Sequence, residues 1–177
     1  MKHILMLTLL LTSGAFAVEF EDILAKAKAG RPMYQYLLGS MYDKGEGIPE
    51  NDAEAVKWYR KAAEQGHAIA QFSLSYMYDL GEGIPENDAE AVKWIRKAAE
   101  QNLVAAQFFL GAKYFFGEGV PENHIKAYVW SSMAKTNGDE RAKETLGFLK
   151  TEMTKNQIAE AQKLAAKCYE SNYKDCD

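Results

Sequence analysis

The sequence lacks three features that would each mark a class of protein. Lys and Arg do not exceed Asp and Glu: 21 basic against 25 acidic residues give a net charge of −4, so there is no electrostatic footprint for a phosphate backbone, and we exclude nucleic acid as a partner. The three histidines lie without a partner at metal-ligand spacing, so we expect no metal and no cofactor. No apolar run approaches the roughly 20 residues that cross a bilayer. The remaining composition, 47% hydrophobic and 26% charged, is typical of a soluble globular protein.

The longest apolar run, Ile4 to Leu11, lies in a segment with the features of a signal peptide. Lys2 and His3 form a short basic start, and Ala15-Phe16-Ala17 supplies a small-x-small cleavage site. We therefore predict a signal peptide over residues 1–17, cleaved after Ala17, and a mature protein in the periplasm or secreted, without stable membrane insertion.

A long internal repeat dominates the rest of the chain. Residues 45–58, which read GEGIPENDAEAVKW, recur unchanged as residues 81–94 and in altered form as residues 117–130, a spacing of 36 residues each time. Such a period indicates one supersecondary unit copied and stacked. The repeats are residues 32–67, 68–103 and 104–139.

Each repeat predicts two helices. Helix A covers about Met33 to Lys44 in the first repeat, and Gly45 stands where a left-handed C-terminal residue is needed. Asn51 is placed to cap helix B, with Glu54 three residues on as in a capping box, and Gly66 ends it. Trp58 and its two equivalents fall at a fixed register on helix B, where we expect them to pack between helices.

The repeated pattern closely resembles the Sel1-like repeat, a relative of the tetratricopeptide repeat. Its residues run Leu38-Gly39-x-x-Tyr42-x-x-Gly45-x-Gly47-Ile48, then Asn51, Ala55, Trp58-Tyr59 and Lys61-Ala62-Ala63. The resemblance covers residues 32–139. It implies an all-α solenoid of antiparallel helix pairs forming a right-handed superhelix, and a role as an adaptor or scaffold, without fixed ligand residues.

The two ends of the solenoid domain, residues 18–177, read as caps. Residues 18–31 predict an N-terminal helix that is acidic at its start and basic near its end, and residues 140–177 predict two closing helices, the second capped by Thr154 and Gln157. Cys168 and Cys176, the only cysteines, are predicted to form a disulfide in an oxidising compartment; a free thiol pair or a redox site are the alternatives.

Two further patterns suggest chemistry, and both have a simpler explanation. Ser132-Met133-Ala134-Lys135 matches the Ser-x-x-Lys of penicillin-recognising enzymes, but the accompanying motifs are absent and Ser132 falls at a surface register of helix B. The acidic loops, such as Glu46 and Glu50, lack the spacing of a calcium-binding loop and favour the helix dipole. We predict no catalytic residues and no enzyme.

The differences between the first two repeats point to a binding surface. They differ at 11 positions, and 8 of these lie in or just before helix A. The variable positions fall on roughly the opposite side from Leu38 and Tyr42, either because packing is relaxed there or because this side is adapted to a partner. We call this predicted partner-binding surface the helix-A face. It consists of Tyr36, Leu37, Ser40, Lys44, Phe72, Ser73, Tyr76, Leu80, Phe108, Phe109, Ala112 and Phe116.

The sequence thus predicts an exported, non-enzymatic scaffold that binds a protein or peptide along the helix-A face in the cell envelope, such as an adaptor of envelope machinery or a toxin-neutralising protein. The alternatives are a weak penicillin-binding hydrolase and a secreted host-interaction factor.

Overall fold

The computed structural model describes residues 19–176, and the regular elements of that range are all α-helices. They are α1 (19–28), α2 (Pro32–Lys44), α3 (Asp52–Glu64), α4 (Ala68–Leu80), α5 (Asp88–Ala99), α6 (Val104–Phe116), α7 (His124–Thr136), α8 (Arg141–Glu152) and α9 (Lys155–Glu170). The predicted signal peptide, residues 1–17, lies outside the described residues.

The helices pack in chain order, as the repeat predicts. α2 packs on α3, α4 on α5 and α6 on α7, and each pair contacts the next through α3 with α4 and α5 with α6. The leucines at the repeated core position, Leu38, Leu74 and Leu110, are fully buried. The buried residues of the described part of the chain form two core clusters, one that contains Leu74 and one that contains Leu110, and the predicted all-α solenoid is confirmed.

The loop between helices A and B fixes how one repeat stacks on the last. Gly45 has φ of 65° and ends α2 in the left-handed conformation that glycine adopts without strain. A Cβ on Gly83 or Gly119 would lie 2.3 Å from backbone atoms of Asp52 or Asp88, in the first turn of the preceding repeat's helix B. The second glycine of the loop is therefore a contact between repeats as well as a turn.

The helix-B cap forms as predicted, but only half of the capping box does. Asn51 accepts a hydrogen bond from the backbone N–H of Glu54 at 3.1 Å. The Glu54 carboxylate instead accepts one from Lys57 at 2.6 Å. An exposed cation one turn on competes for the carboxylate that would have reached back to the cap.

A chain of buried amides crosses the repeats, and we call it the glutamine ladder. Gln35, Gln71 and Gln107 are buried, and each donates a hydrogen bond to a backbone carbonyl of the preceding helix. Each also accepts one from the end of its own helix B, through Gln65, Gln101 and Asn137 respectively. The ladder satisfies polar groups that burial would otherwise leave unpaired, so it holds the repeats in register.

The C-terminal segment closes both the core and the ladder. α8 and α9 both pack on α7, and Thr154 and Gln157 form the predicted capping box at the start of α9. Cys168 and Cys176 are joined in a disulfide, and between them the buried Tyr173 donates a hydrogen bond to Asn137 at 3.2 Å. The tail therefore donates a hydrogen bond to the side-chain oxygen of Asn137, at the C-terminal end of the ladder.

The outward surface of this cap is charged. Five lysines on α8 and α9 are exposed: Lys143, Lys150, Lys155, Lys163 and Lys167. Within residues 19–176 no helix has the length and apolar character needed to cross a membrane.

Candidate functional site

The structure divides the helix-A face into three parts, one for each repeat. In the first repeat, Leu37 and Ser40 line a small cleft of about 200 Å³ against α1. Tyr36 is half-buried and stacks on Tyr59 and His67, with ring centroids 5.8 and 5.1 Å apart. Tyr36 therefore serves packing within the first repeat, where Met33 rather than a residue of the predicted set is the large exposed apolar side chain.

The second repeat exposes two large apolar side chains of the predicted set. Tyr76 is 55% and Leu80 48% exposed, while Phe72 and Ser73 are half-buried. The ring of Phe72 lies 5.8 Å from that of Phe109 on α6. This contact joins the second and third parts of the face into one apolar surface.

The third repeat, together with α8, forms the most distinct depression of the face, a cleft of about 320 Å³ that we call the aromatic cleft. Its lining residues are Phe108, Ala112, Phe115, Phe116, Glu144, Thr145 and Phe148. The Phe115 ring meets those of Phe116 and Phe148 edge to face, at 4.9 and 5.6 Å between centroids. Phe116 is 65% exposed and Phe148 54%, so two large rings remain accessible to another molecule.

A cation of this chain lies over one ring of the aromatic cleft. The Arg141 guanidinium lies 4.2 Å from the ring centroid of Phe108 and 5.6 Å from that of Phe109. Asp139 holds the guanidinium with two contacts at 3.0 and 2.6 Å, and these hydrogen bonds lower the pKa of Asp139. Arg141 is thus fixed in place, with its charge already paired.

A buried ion cluster fixes the helix that carries the cleft. Lys113 on α6 is only 9% exposed, and its ammonium lies 2.9 Å from Asp79, 3.1 Å from Glu118 and 3.7 Å from Asp88. Burial acts against the charge of Lys113, but hydrogen bonds to Asp79 and Glu118 outweigh it and raise its pKa. Burial, with repulsion from Asp88 and Glu118, raises the pKa of Asp79 although Lys113 is adjacent. Three carboxylates share one ammonium, and the cluster ties α6 to α4 and to the start of α5.

The motifs set aside on sequence grounds acquire no catalytic partners in the structure. Ser132 lines a cleft of about 360 Å³ between α7 and α9, but no hydrogen bond joins its hydroxyl to Lys135 or any other described side chain. Within the described range no group of three or more His, Cys, Asp and Glu residues could hold a metal ion.

The histidines and tryptophans have structural roles. His67 accepts a hydrogen bond from the backbone N–H of Ala70 at the start of α4, and burial lowers its pKa. His124 stacks on Phe115 and lies 3.1 Å from Glu122. Both histidines are half-buried. Trp94 and Trp130 are buried in the packing expected of them, whereas Trp58 is half-buried.

Sequence reasoning missed the contribution of α8 to the cleft. Phe148 and Arg141 lie beyond the last full repeat, and Phe115 falls at a position that is Asp in the first two repeats, Asp43 and Asp79. That change from Asp to Phe, together with the adjacent pair Phe115-Phe116, was the available signal. It marks the place where the third repeat packs against α8.

Comparison with solved structures supports the same architecture. A Sel1 repeat protein from Oxalobacter formigenes is 45% identical over 67% of this chain, with a TM-score of 0.65. The protein c5321, described as a protective antigen of uropathogenic Escherichia coli strains with an SLR fold, is 30% identical over 87% of this chain, also with a TM-score of 0.65. The chain spans 47% and 41% of these two proteins, respectively. No curated protein matches the chain at a significant level.

The family model for the Sel1 repeat matches three consecutive segments, residues 32–67, 68–103 and 104–139. These are the three repeats that the sequence period defines and that the structure folds into successive helix pairs. The chain therefore belongs to the Sel1 repeat family, whose members are generally protein–protein interaction scaffolds.

Proposed function

We propose that this protein is an exported, non-enzymatic scaffold that binds a protein or peptide segment along the helix-A face, with the aromatic cleft as its main anchoring point. The observation that carries the proposal is the exposure of Phe116 and Phe148 at a cleft of about 320 Å³. Large apolar side chains at a concave site are typical of interface centres, where aromatic residues contribute much of the binding energy.

The rest of the helix-A face provides a continuation for such a segment. Phe109, Tyr76 and Leu80 are each more than 40% exposed, and they lead from the cleft towards the second repeat. An extended chain of n residues spans at most about 3.5 Å × n, so a segment of roughly eight residues spans at most about 28 Å. The first repeat, where Tyr36 is occupied in packing, contributes less.

Two features support an exported protein. Residues 1–17 have the pattern of a cleavable signal peptide. Cys168 and Cys176 form a disulfide, a bond that persists in oxidising compartments. The cell envelope is thus the proposed place of action, and adaptor or toxin-neutralising roles there both require a protein partner.

Site-specific photocrosslinking tests the binding surface directly. A photoreactive phenylalanine analogue would replace Phe116 in the native host, and Tyr169 on α9, which is 55% exposed but outside the helix-A face, would serve as the control position. We expect a discrete crosslinked protein from position 116 and none from position 169.

The same pair of positions supports a second measurement. Phe116→Ser combined with Tyr76→Ala should abolish the crosslink from a probe at Phe109, while Tyr169→Ser should leave it unchanged. Because all of these side chains are exposed, the variants should retain the circular dichroism of the parent chain. Equal crosslinking from positions 116 and 169, or insensitivity to the double variant, would show that the helix-A face is not the binding surface.

A host-facing role is a second candidate, supported by the 30% identity to a protein described as a protective antigen. Labelling of intact cells with an antibody raised against the exposed surface of the C-terminal cap distinguishes the two locations. Surface labelling without permeabilisation supports the host-facing role, and labelling only after permeabilisation supports the envelope role.

A further inference from the structure

The interior of the aromatic cleft is apolar, and its size suits one side chain. Its polar lining consists of Glu144 and Thr145 on α8, whereas the α6 wall is made of Phe108, Ala112, Phe115 and Phe116. A cleft of about 320 Å³ with this lining accommodates a single large apolar side chain of a bound segment.

The charges at the cleft that remain unpaired are negative. Among the described residues no cation lies at ion-pair distance from Glu144. The guanidinium of Arg141, which lies over Phe108, is engaged with Asp139, and the charged residue in the lining of the cleft is Glu144. Glu152 shares the α8 face of Glu144 and Phe148, since residues four apart on a helix lie on one side.

The rings of the cleft already bind a cation from within the chain. The guanidinium of Arg141 sits 4.2 Å from the ring centroid of Phe108. The electron-rich faces of Phe116 and Phe148 offer the same attraction to an arriving Lys or Arg, because the ring quadrupole draws cations to its face. Glu144, which lines the same cleft as these two rings, supplies the counter-charge.

We infer that the aromatic cleft recognises a basic, apolar protein segment: an apolar side chain that enters the cleft, next to a Lys or Arg that pairs with Glu144 over the exposed rings. Repulsion from Glu144 and Glu152 disfavours an acidic segment, so the cleft prefers a basic partner. This inference rests on the proposed function and specifies the chemistry of the partner.

Selection of a random displayed peptide library on the immobilised full-length chain tests the inference. We expect the selected peptides to place Lys or Arg rather than Asp or Glu beside an apolar anchor, with a preference of about fivefold at low salt. High salt should weaken that preference because the pair is close to solvent.

Two variants with the same change of charge make the test specific. Glu144→Lys should remove the preference for basic residues, whereas Glu64→Lys, at an exposed position of α3 in the first repeat, should keep it. Glu144→Gln removes the charge without reversing it, and should reduce the preference by about half on a logarithmic scale.

The outcomes separate the inference from the proposal beneath it. One outcome is that the selected peptides lose binding on Phe116→Ser but show no enrichment of basic residues, or show an enrichment that Glu144→Lys leaves intact. This outcome overturns the inference about charge but still supports the helix-A face as the binding surface. Failure to select any peptide that depends on Phe116 overturns both.

Discussion

Replacing Lys113 with methionine isolates the buried ion cluster from the repeat that surrounds it. The equivalent positions of the first two repeats, 41 and 77, are methionine, so the side chain fits a helix-A position of this kind. The substitution removes the ammonium that lies 2.9 Å from the Asp79 carboxylate. The side chain of Asp79 is more than three-quarters buried, so solvent compensates for that loss only in part. Lys113→Met therefore leaves a carboxylate in the structure with no cation beside it.

The loss in the free energy of unfolding depends on how deeply Asp79 is buried. Removing one partner of a fully buried ion pair costs about 3 to 5 kcal/mol, mainly because the other charge is left uncompensated. Asp79 is partly accessible, with a side-chain exposure of 23%, and Glu118 and Asp88 reach solvent. We therefore expect a loss of about 2 kcal/mol in the free energy of unfolding, or about 4 to 8 °C in Tm.

The pH dependence gives a second signature. In the variant the pKa of Asp79 should rise further above its ordinary value, since the hydrogen bond that lowers it is gone. A carboxyl group whose pKa is higher in the folded state stabilises the fold when protonated, so stability increases as the pH falls through that pKa. The defect should therefore be largest at neutral pH and should shrink on mild acidification.

Urea unfolding followed by circular dichroism, at neutral and mildly acidic pH, measures both effects. Lys57→Met is the control, since Lys57 forms an exposed pair with Glu54 and should cost less than about 0.5 kcal/mol. Asp79→Leu added to Lys113→Met should recover at least half of the loss. A defect as small as that of the control, or one that does not change with pH, would refute this account of the cluster.

Three further variants test the features that hold the repeats together. Gly119→Ala should cost at least about 3 kcal/mol in urea unfolding because its Cβ meets the preceding repeat, whereas Gly66→Ala, also at positive φ but with open space around it, should cost about 1 to 2 kcal/mol; equal costs would argue against a stacking role. Cys168→Ser with Cys176→Ser should destabilise the cap by about 2 to 3 kcal/mol, checked by hydrogen exchange of α9 against the intact chain; unchanged exchange would contradict a clamping role for the disulfide. Tyr173→Phe should cost about 1 kcal/mol in the same urea assay by leaving the last ladder acceptor unpaired, and a neutral result would show that the ladder does not need its end.

The architecture was predictable because the same structural residues recur in each repeat. Gly45, Asn51 and the buried Leu38 each recur at the period, so caps, turns and core positions support one another. The glutamine ladder recurs as well, at Gln35, Gln71 and Gln107. Its partners lie 30 residues away across a helix pair, however, and only the packed structure shows that the amides meet.

The site was less predictable, because it arises where the repeat breaks down. The helix-A face includes three of the lining residues of the aromatic cleft, Phe108, Ala112 and Phe116, since these occupy the variable positions of a repeat. The opposite wall comes from α8, which lies beyond the last full repeat and is not followed by a Gly-x-Gly loop, although Leu146-Gly147 keeps the register of Leu110-Gly111. Phe148 lies 36 residues after Ala112, but only the packed structure shows that its ring meets that of Phe115.

Gly83 and Gly119 make the same contact with the preceding repeat, so an inner repeat can be added or removed without changing how its neighbours stack. The first two loops are identical in sequence, so an in-frame duplication or deletion of one unit would present the same joint to its neighbours and keep the helices in step. The last unit has no such freedom, since it must meet Tyr173 on one side and Phe148 on the other. Gene-level changes in repeat number can therefore lengthen or shorten the surface leading to the aromatic cleft while the cleft itself stays at the end of the array.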